Sequence, residues 1–134
     1  DLHPTNSLVD LNSKRITFTY DGSNIPSTIT DPNGNVTSLC YSGSCGASGK
    51  VCTFTDPAGR VTSLSYDSSG RLTKATDPDG AVFTFTYDSS SGRMTTLVDP
   101  RSNTTSFSYN FAGRVTTVTR PATTVSLRQA CKIF

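Results

Sequence analysis

The chain has 134 residues, a formal net charge of +2 at pH 7 and 34% hydrophobic residues. So small and dispersed a charge argues against a nucleic-acid partner, and no apolar run is long enough to predict membrane insertion. Ser and Thr together supply 41 residues, so the length and composition fit one hydroxyl-rich domain.

The chain is dominated by a short unit that recurs five times. Residues 1–13 precede the first copy and are predicted to form an N-terminal tail, and residues 14–124 hold the copies. Each copy contains a tyrosine, followed 10 to 15 residues later by Asp-Pro or a close variant. The copies span about 14–35, 36–60, 61–81, 82–103 and 104–124. The markers are Tyr20, Tyr41, Tyr66, Tyr87 and Tyr109, then Asp31-Pro32, Asp56-Pro57, Asp77-Pro78, Asp99-Pro100 and Arg120-Pro121. A recurring residue is interpreted first as part of the architecture.

One copy, residues 61–81, predicts two short strands and two turns. The segment 61–66 alternates strictly between two faces. Asp67 to Gly70 reads as a turn in which the glycine takes positive φ. Residues 71–76 then return as a second strand, and Asp77-Pro78-Asp79-Gly80 forms the second turn.

The alternation predicts one aromatic and aliphatic face and one hydroxyl face in every copy. The first face is lined by Ile16, Phe18, Tyr20, Thr37, Leu39, Tyr41, Thr62, Leu64, Tyr66, Phe83, Phe85, Tyr87, Thr105, Phe107 and Tyr109. The return strands are less regular, because their apolar residues lie three apart, as in Leu72 and Ala75. Either a bulge re-aims one of each pair, or these strands bury apolar groups on both sides.

Residues 125–134 form a C-terminal segment that is read as strand or irregular coil and could be a partial sixth repeat. The expected fold is all-β, a repetitive antiparallel ribbon of hairpins with about ten short strands. Ten strands at about 4.8 Å spacing give a sheet nearly 50 Å wide. Such a sheet must curl or pack on a neighbour to cover its apolar face. We therefore expect a segment of a longer repeat protein or a protomer that self-associates.

The unit resembles the YD repeat of RHS proteins. The matching residues are Tyr66-Asp67 with Gly70-Arg71, Tyr87-Asp88 with Gly92-Arg93, and Tyr20-Asp21. Proteins with such repeats include bacterial RHS and wall-associated proteins, C components of insecticidal toxin complexes and teneurins. The resemblance implies a long β-ribbon that spirals into a hollow shell, and it implies cell-surface adhesion or carbohydrate binding. The copies also diverge, since Tyr41-Ser42 and Tyr109-Asn110 replace Tyr-Asp.

Four cysteines are candidates for disulfides: Cys40, Cys45, Cys52 and Cys131. Three of them surround the one enlarged turn, where a disulfide would pin the loop in an extracellular chain, and the full pairing stays open. Their spacing suits zinc poorly, and the one histidine, His3, lies outside the repeats. A cysteine nucleophile would lack a histidine partner there.

The carboxylates recur at equivalent turn positions, which favours turn chemistry over catalysis or calcium binding. A glycosidase needs two carboxylates in different environments, and no single loop offers enough oxygen ligands for calcium. Asn35 and Asn103 begin N-glycosylation sequons at the same place in two copies, just after the second turn. We predict no catalytic residues, metal or cofactor.

The favoured hypothesis is a non-enzymatic extracellular or cell-surface repeat protein, forming part of a shell or a self-assembling filament. The second hypothesis is a carbohydrate-binding or adhesion module that uses aromatic and arginine side chains in repeat register. The third is a fragment of a toxin-encapsulating RHS shell. Partners are therefore other copies or neighbouring repeats, or glycans.

Overall fold

The computed structural model describes residues 5–41 and 46–121, and all regular structure within them is β-strand. There are eleven short strands. They are β1 Thr5–Val9, β2 Arg15–Tyr20, β3 Pro26–Thr30, β4 Val36–Cys40, β5 Thr53–Thr55, β6 Val61–Tyr66, β7 Leu72–Thr76, β8 Val82–Tyr87, β9 Met94–Val98, β10 Thr104–Tyr109 and β11 Val115–Thr119.

The strands form one open sheet in sequence order, and each is antiparallel to its neighbours along the chain. The sheet is not closed into a barrel, because β1 and β11 each pair with a single strand within the described residues. The predicted all-β ribbon of hairpins is therefore confirmed. Alternating β-branched and aromatic residues separated by Asp- and Gly-containing turns specify this arrangement locally.

Part of the predicted N-terminal tail belongs to the sheet. Residues 5–9 form β1, and Leu8 lies opposite Ile16 of β2. The following turn uses the same backbone bonds as the later turns, from Asp10 N to Lys14 O and from Ser13 N to Asp10 O, both 3.0 Å. Leu11 stands where the later copies have proline. Residues 5–14 therefore resemble the second half of a repeat unit.

A β-bulge at the start of the return strands resolves their irregular apolar spacing. In β7, Ala75 lies opposite Leu64 and Leu72 lies opposite Tyr66, so the register skips Thr73. The extra residue returns Leu72 to the same face as Ala75, which supports the bulge rather than two-sided burial. The same shift occurs in β3, β9 and β11, where the skipped residues are Ser27, Thr95 and Thr116.

Nearly all of the turns use one design. In the turn at Asp67, the Asp67 N–H donates to Arg71 O, the Gly70 N–H donates to Asp67 O, and both distances are 2.9 Å. Gly70 has φ 74, as predicted. The turn is a type I turn followed by a left-handed residue, which suits the twist of a three-residue hairpin loop.

The sheet is a single layer within the described residues. The aromatic and aliphatic face, which carries the tyrosines, is mostly half-buried. Among the described residues, the only buried apolar side chain is that of Cys52, at 5% exposure. In a compact domain, large apolar side chains are commonly fully buried. β11 is exposed along its whole length, including Val115 and Val118. The faces of the sheet therefore lack a covering layer here.

Candidate functional site

The repeated turn residues collect at the two ends of the strands, and the tyrosines precede the turns at one of these ends. The turns after β2, β4, β6, β8 and β10 all lie at this end, because the strands alternate in direction. We call it the tyrosine end, and the opposite end, which carries the turns after β1, β3, β5, β7 and β9, the Asp-Pro end. The chemistry is therefore distributed along two rows of turns.

Three tyrosine hydroxyls donate to carbonyls in the preceding copy. Tyr66 Oη lies 3.0 Å from Val51 O, Tyr87 Oη 2.7 Å from Leu72 O, and Tyr109 Oη 2.8 Å from Met94 O. Leu72 and Met94 are the first residues of bulged return strands. The hydroxyls thus satisfy carbonyls at positions where the bulge interrupts regular strand pairing. Burial of the phenol raises the pKa of Tyr87.

Arginines extend the connection forward to the next copy. The guanidinium of Arg71 bonds Asp67 Oδ2 at 2.6 Å in its own turn and lies 4.9 Å from the ring centre of Tyr87. It also donates to Asp88 O at 3.4 Å. One repeat later, Arg93 lies 5.8 Å from the ring centre of Tyr109. Each such cation–π contact stabilises the packing of neighbouring copies.

The aspartates hold the turns closed. Asp31 Oδ1 accepts from the N–H groups of Asn33 and Asn35 at 2.8 and 2.9 Å, and Asp31 Oδ2 accepts from the Asn35 amide at 2.8 Å. Asp99 makes the same set with Arg101 and Asn103. Hydrogen bonds to the ionised form lower a carboxyl pKa.

The carboxyl pKa is lowered in five turns. The first cause is the side-chain amide bond for Asp31 and Asp99, and the backbone N–H of the residue four positions later for Asp56 and Asp67. The hydroxyl of Ser90 is the first cause for Asp88, whose pKa falls to about 2. These carboxylates act as backbone acceptors, which fits the predicted turn chemistry.

The structure places the remaining predicted residues as follows. Asn35 and Asn103 are both exposed. Cys52 continues the strand pairing, since its N–H donates to Cys40 O and its carbonyl accepts from Leu64 N–H, both at 2.7 Å. Cys45 and Cys131 lie outside the described residues, so the disulfides stay a prediction. No cluster of three or more metal-ligating side chains occurs in residues 5–41 and 46–121.

The enlarged turn packs against the following hairpin. A Cβ built on Gly46 would lie 2.0 Å from the carbonyl oxygen of Tyr66, and one built on Gly70 would lie 3.4 Å from Cε of Lys50. The backbone at Gly46 therefore approaches β6 so closely that a side chain has no room. Lys50 follows a glycine in the same way as Arg71 and Arg93.

Sequence reasoning missed the contacts between copies. No contact was predicted for the arginines that follow glycine, whereas the guanidinium of Arg71 lies over the ring of Tyr87 in the next copy. The recurrence of Gly-Arg with Tyr 16 residues later, as in Arg71 and Tyr87 or Arg93 and Tyr109, was the available signal. Among the described residues, no helix is long and apolar enough to cross a bilayer.

Comparison with solved structures supports the same fold. The crystal structures of TcdB2-TccC3-Cdc42 and TcdB2-TccC3 match 87% of this chain, with TM-scores of 0.65 and 0.64 and 16% sequence identity. The chain spans only 7% of the length of those chains. At this identity the likeness establishes the fold alone. No curated protein matches the sequence.

The family model described as RHS Repeat matches residues 47–82, 66–104 and 87–125. Together these overlapping matches cover more than half of the 134 residues. They contain the hairpins in which Tyr66, Tyr87 and Tyr109 bond the preceding copy. The chain therefore belongs to the RHS repeat family.

Proposed function

We propose that the chain is a non-enzymatic structural segment of an RHS-type β-shell, completed by neighbouring repeats or by further copies of itself. The observation that carries this proposal is the single-layer sheet, in which Cys52 alone among the described apolar side chains is buried. A repeat sheet gains stability by stacking against more repeats. Exposed apolar side chains on both outer strands, such as Leu8 and Val118, fit that role.

The repeated chemistry supports a structural role over catalysis. The tyrosine hydroxyls donate to backbone carbonyls, and most of the turn carboxylates accept from backbone N–H groups in equivalent turns. An enzyme needs an acid and a base whose environments differ. Tyrosine hydroxyls and turn carboxylates that make the same hydrogen bonds in successive copies stabilise the fold instead.

We place the protein outside the cell or at the cell surface. Cysteines around the enlarged turn suit an oxidising compartment, and Cys52 stands at a buried position where a disulfide to the loop would pin it. Asn35 and Asn103 are exposed and thus accessible to glycosylation. Comparing intact mass before and after reduction, with and without glycosidase, tests both modifications.

Carbohydrate binding, the alternative function, gains no support from the tyrosine row. A guanidinium lies over the rings of Tyr87 and Tyr109, and both hydroxyls are already donated to carbonyls. Glycan-array binding that is lost in Tyr87→Ala or Arg93→Ala, with the fold retained, would favour it.

As a third candidate, the chain would be one segment of a toxin-enclosing shell, since it spans 7% of the TcdB2-TccC3 chain.

Sedimentation velocity over a range of protein concentrations tests the proposed role. We expect concentration-dependent association of a well-folded chain. Val118→Lys separates two modes of association, because a lysine on the outer strand β11 opposes further strand addition but leaves the ends of the strands unchanged. A compact wild-type monomer at every concentration would contradict the proposal.

A further inference from the structure

Two arginines at the tyrosine end, Arg93 and Arg114, have no carboxylate partner among the described residues. The guanidinium of Arg71 is paired with Asp67 at 2.6 Å, whereas Arg93 forms no ion pair and its guanidinium donates no hydrogen bond within residues 5–41 and 46–121. The cause is one extra serine. In the longer turn at Asp88, its carboxylate accepts from Ser90 Oγ and Ser91 N, both at 2.7 Å, instead of from the arginine.

Arg114 lacks a carboxylate for a different reason. Asn110 replaces the aspartate of the turn, and its neutral side-chain oxygen accepts from the Arg114 N–H at 3.0 Å. The Arg114 side chain is exposed and forms no ion pair within the described part of the chain. Two consecutive copies therefore present positive charge that other turns neutralise internally.

These two arginines lie beside each other on a preorganised surface. Arg93 covers the ring of Tyr109, and a Cβ built on Gly113 would lie 2.5 Å from its terminal nitrogen, so its guanidinium rests on the backbone next to Arg114. Phe111, at the tip of the same turn, is 102% exposed. We call Arg93, Tyr109, Phe111 and Arg114 the guanidinium surface. A fixed guanidinium loses little conformational freedom when it binds a carboxylate.

The Asp-Pro end carries the complementary charge. Asp77 is exceptional among the aspartates that open turns, because its carboxylate accepts no hydrogen bond within the described residues and Ala81 stands where Asp56 and Asp67 have an arginine. Asp79 accepts only from the Ala81 N–H, at 3.2 Å. An open cleft of about 400 Å³ is lined by Arg60, Asp77, Pro78 and Asp79.

The acidic charge is concentrated at the Asp77 turn. The next turn at this end holds Arg101 beside Asp99, and the Asp99 carboxylate already accepts from Arg101 N–H and from Asn103. The guanidinium of Arg93 lies next to Arg114, and Asp77 and Asp79 belong to one turn. A second copy placed end-on along the strand direction can therefore bring both arginines to both carboxylates.

We propose that the guanidinium surface of one copy docks against the Asp77 turn of a second copy. Arg93 faces Asp77, Arg114 faces Asp79, and Phe111 packs against Pro78. The inference rests on the proposed function, in which the sheet is completed by association, and it names the surface. The contact joins different surfaces, so it propagates from copy to copy.

Charge reversal tests this surface. We expect Arg114→Glu to weaken association at least tenfold in sedimentation equilibrium at low salt. The matched control is Lys74→Glu, which makes the same charge change at an exposed position on the hydroxyl face of β7 and should leave association unchanged. Mixing Arg114→Glu protein with Asp79→Arg protein should restore assembly between unlike chains.

A gentler variant keeps the turn intact. Asn110→Asp should give Arg114 an internal partner, as Asp67 does for Arg71, and should weaken association without loss of secondary structure. If wild-type protein associates but neither Arg114→Glu nor Asn110→Asp differs from it, the guanidinium surface is wrong and the proposed function stands. If the wild type remains monomeric, the docking between copies is wrong, whether or not neighbouring repeats complete the sheet.

Discussion

Tyrosine and aspartate recur for different physical reasons. The Tyr87 hydroxyl reaches a backbone carbonyl 15 residues back, at the start of the preceding return strand, whereas Asp67 closes its own turn by accepting from Ser69 and Arg71 N–H groups at 2.9 Å. The first bond joins copies and the second shapes a hairpin. Asn110 can replace aspartate because its amide oxygen also accepts.

Removing one tyrosine hydroxyl should weaken the contact between two copies. We expect Tyr87→Phe to lower the free energy of unfolding by about 1 kcal/mol, because Leu72 O loses its partner while the ring stays in place. Tyr20→Phe is the control, since within the described part of the chain Tyr20 Oη has only a long contact of 3.4 Å from the Asn6 amide. Urea denaturation measures both, and equal losses would argue against the hydroxyl's role.

Acid should destabilise the turns. The pKa values of Asp31, Asp56, Asp67 and Asp99 lie below the ordinary value of 3.8, and that of Asp88 lies near 2. A lowered folded-state pKa contributes stability that is present above the unfolded-state pKa and is lost as pH falls through the folded-state pKa. Unfolding free energy should therefore be constant near pH 6 and decline from about pH 4 towards pH 2.

Replacing all five aspartates by asparagine provides the control for this pH profile. Asparagine preserves the acceptor, as Asn110 shows, but does not titrate in this range. The substituted chain should show a flatter profile between pH 4 and pH 2. An identical decline in both proteins would mean that other groups cause the acid sensitivity.

Among elements, the return strands show best what the sequence could and could not predict. Alternation on the strands that end in Tyr66 or Tyr87 predicted their faces, because side chains alternate with period two in any regular strand. The three-residue spacing of Leu72 and Ala75 left two alternatives, because a bulge depends on pairing with β6, which one strand's sequence does not encode. The arginine contacts were missed for the same reason, since they join separate hairpins.

Cys52 stands where the other copies have their bulge residue, one position before Thr53, which pairs with Cys40. The equivalent positions carry hydroxyl residues in β3, β7, β9 and β11, where the hydroxyl of Ser27 lies 3.0 Å from that of Thr19 and Thr73 Oγ1 donates to Ser65 O at 3.2 Å. A thiol is a poorer hydrogen-bonding group than a hydroxyl. We propose that the predicted disulfide to the enlarged turn, rather than strand pairing, accounts for the cysteine at this position.

Two glycines of the enlarged turn should differ in how much their substitution by alanine destabilises the protein. Gly46→Ala should be clearly more destabilising than Gly49→Ala, because both residues have positive φ, 90 and 71, but only at Gly46 would Cβ meet the Tyr66 carbonyl. The backbone conformation alone should cost Gly49→Ala about 1–2 kcal/mol. Thermal unfolding of both variants measures the difference, and equal losses would show that the loop does not pack on β6.

At the scale of the molecule, strand number limits how copies can join. All eleven strands alternate in direction, so β1 and β11 run the same way. Copies related by simple translation would bring these strands together in parallel, whereas the sheet itself is antiparallel throughout. An antiparallel junction between described outer strands would need a two-fold axis. End-on docking through the guanidinium surface avoids this constraint.

The sequence predicted the ribbon and its need for a partner because both follow from the repeat and the one-sided apolar face. Strand β1 was not anticipated, since Leu11 replaces the proline that marks the later turns. The proposed contact between copies depends on turn residues such as Arg93 and Arg114. One extra serine leaves Arg93 without an ion pair in its own turn, and Asn110 leaves Arg114 without one.

The most direct test is an in-register duplication of residues 61–103, two whole copies, inserted after residue 103. If the chain is a stack of equivalent hairpins, the longer protein should fold with one cooperative transition and a higher midpoint in urea, because each added copy contributes a new interface. A duplication that abolishes cooperative unfolding or lowers the midpoint would contradict the account.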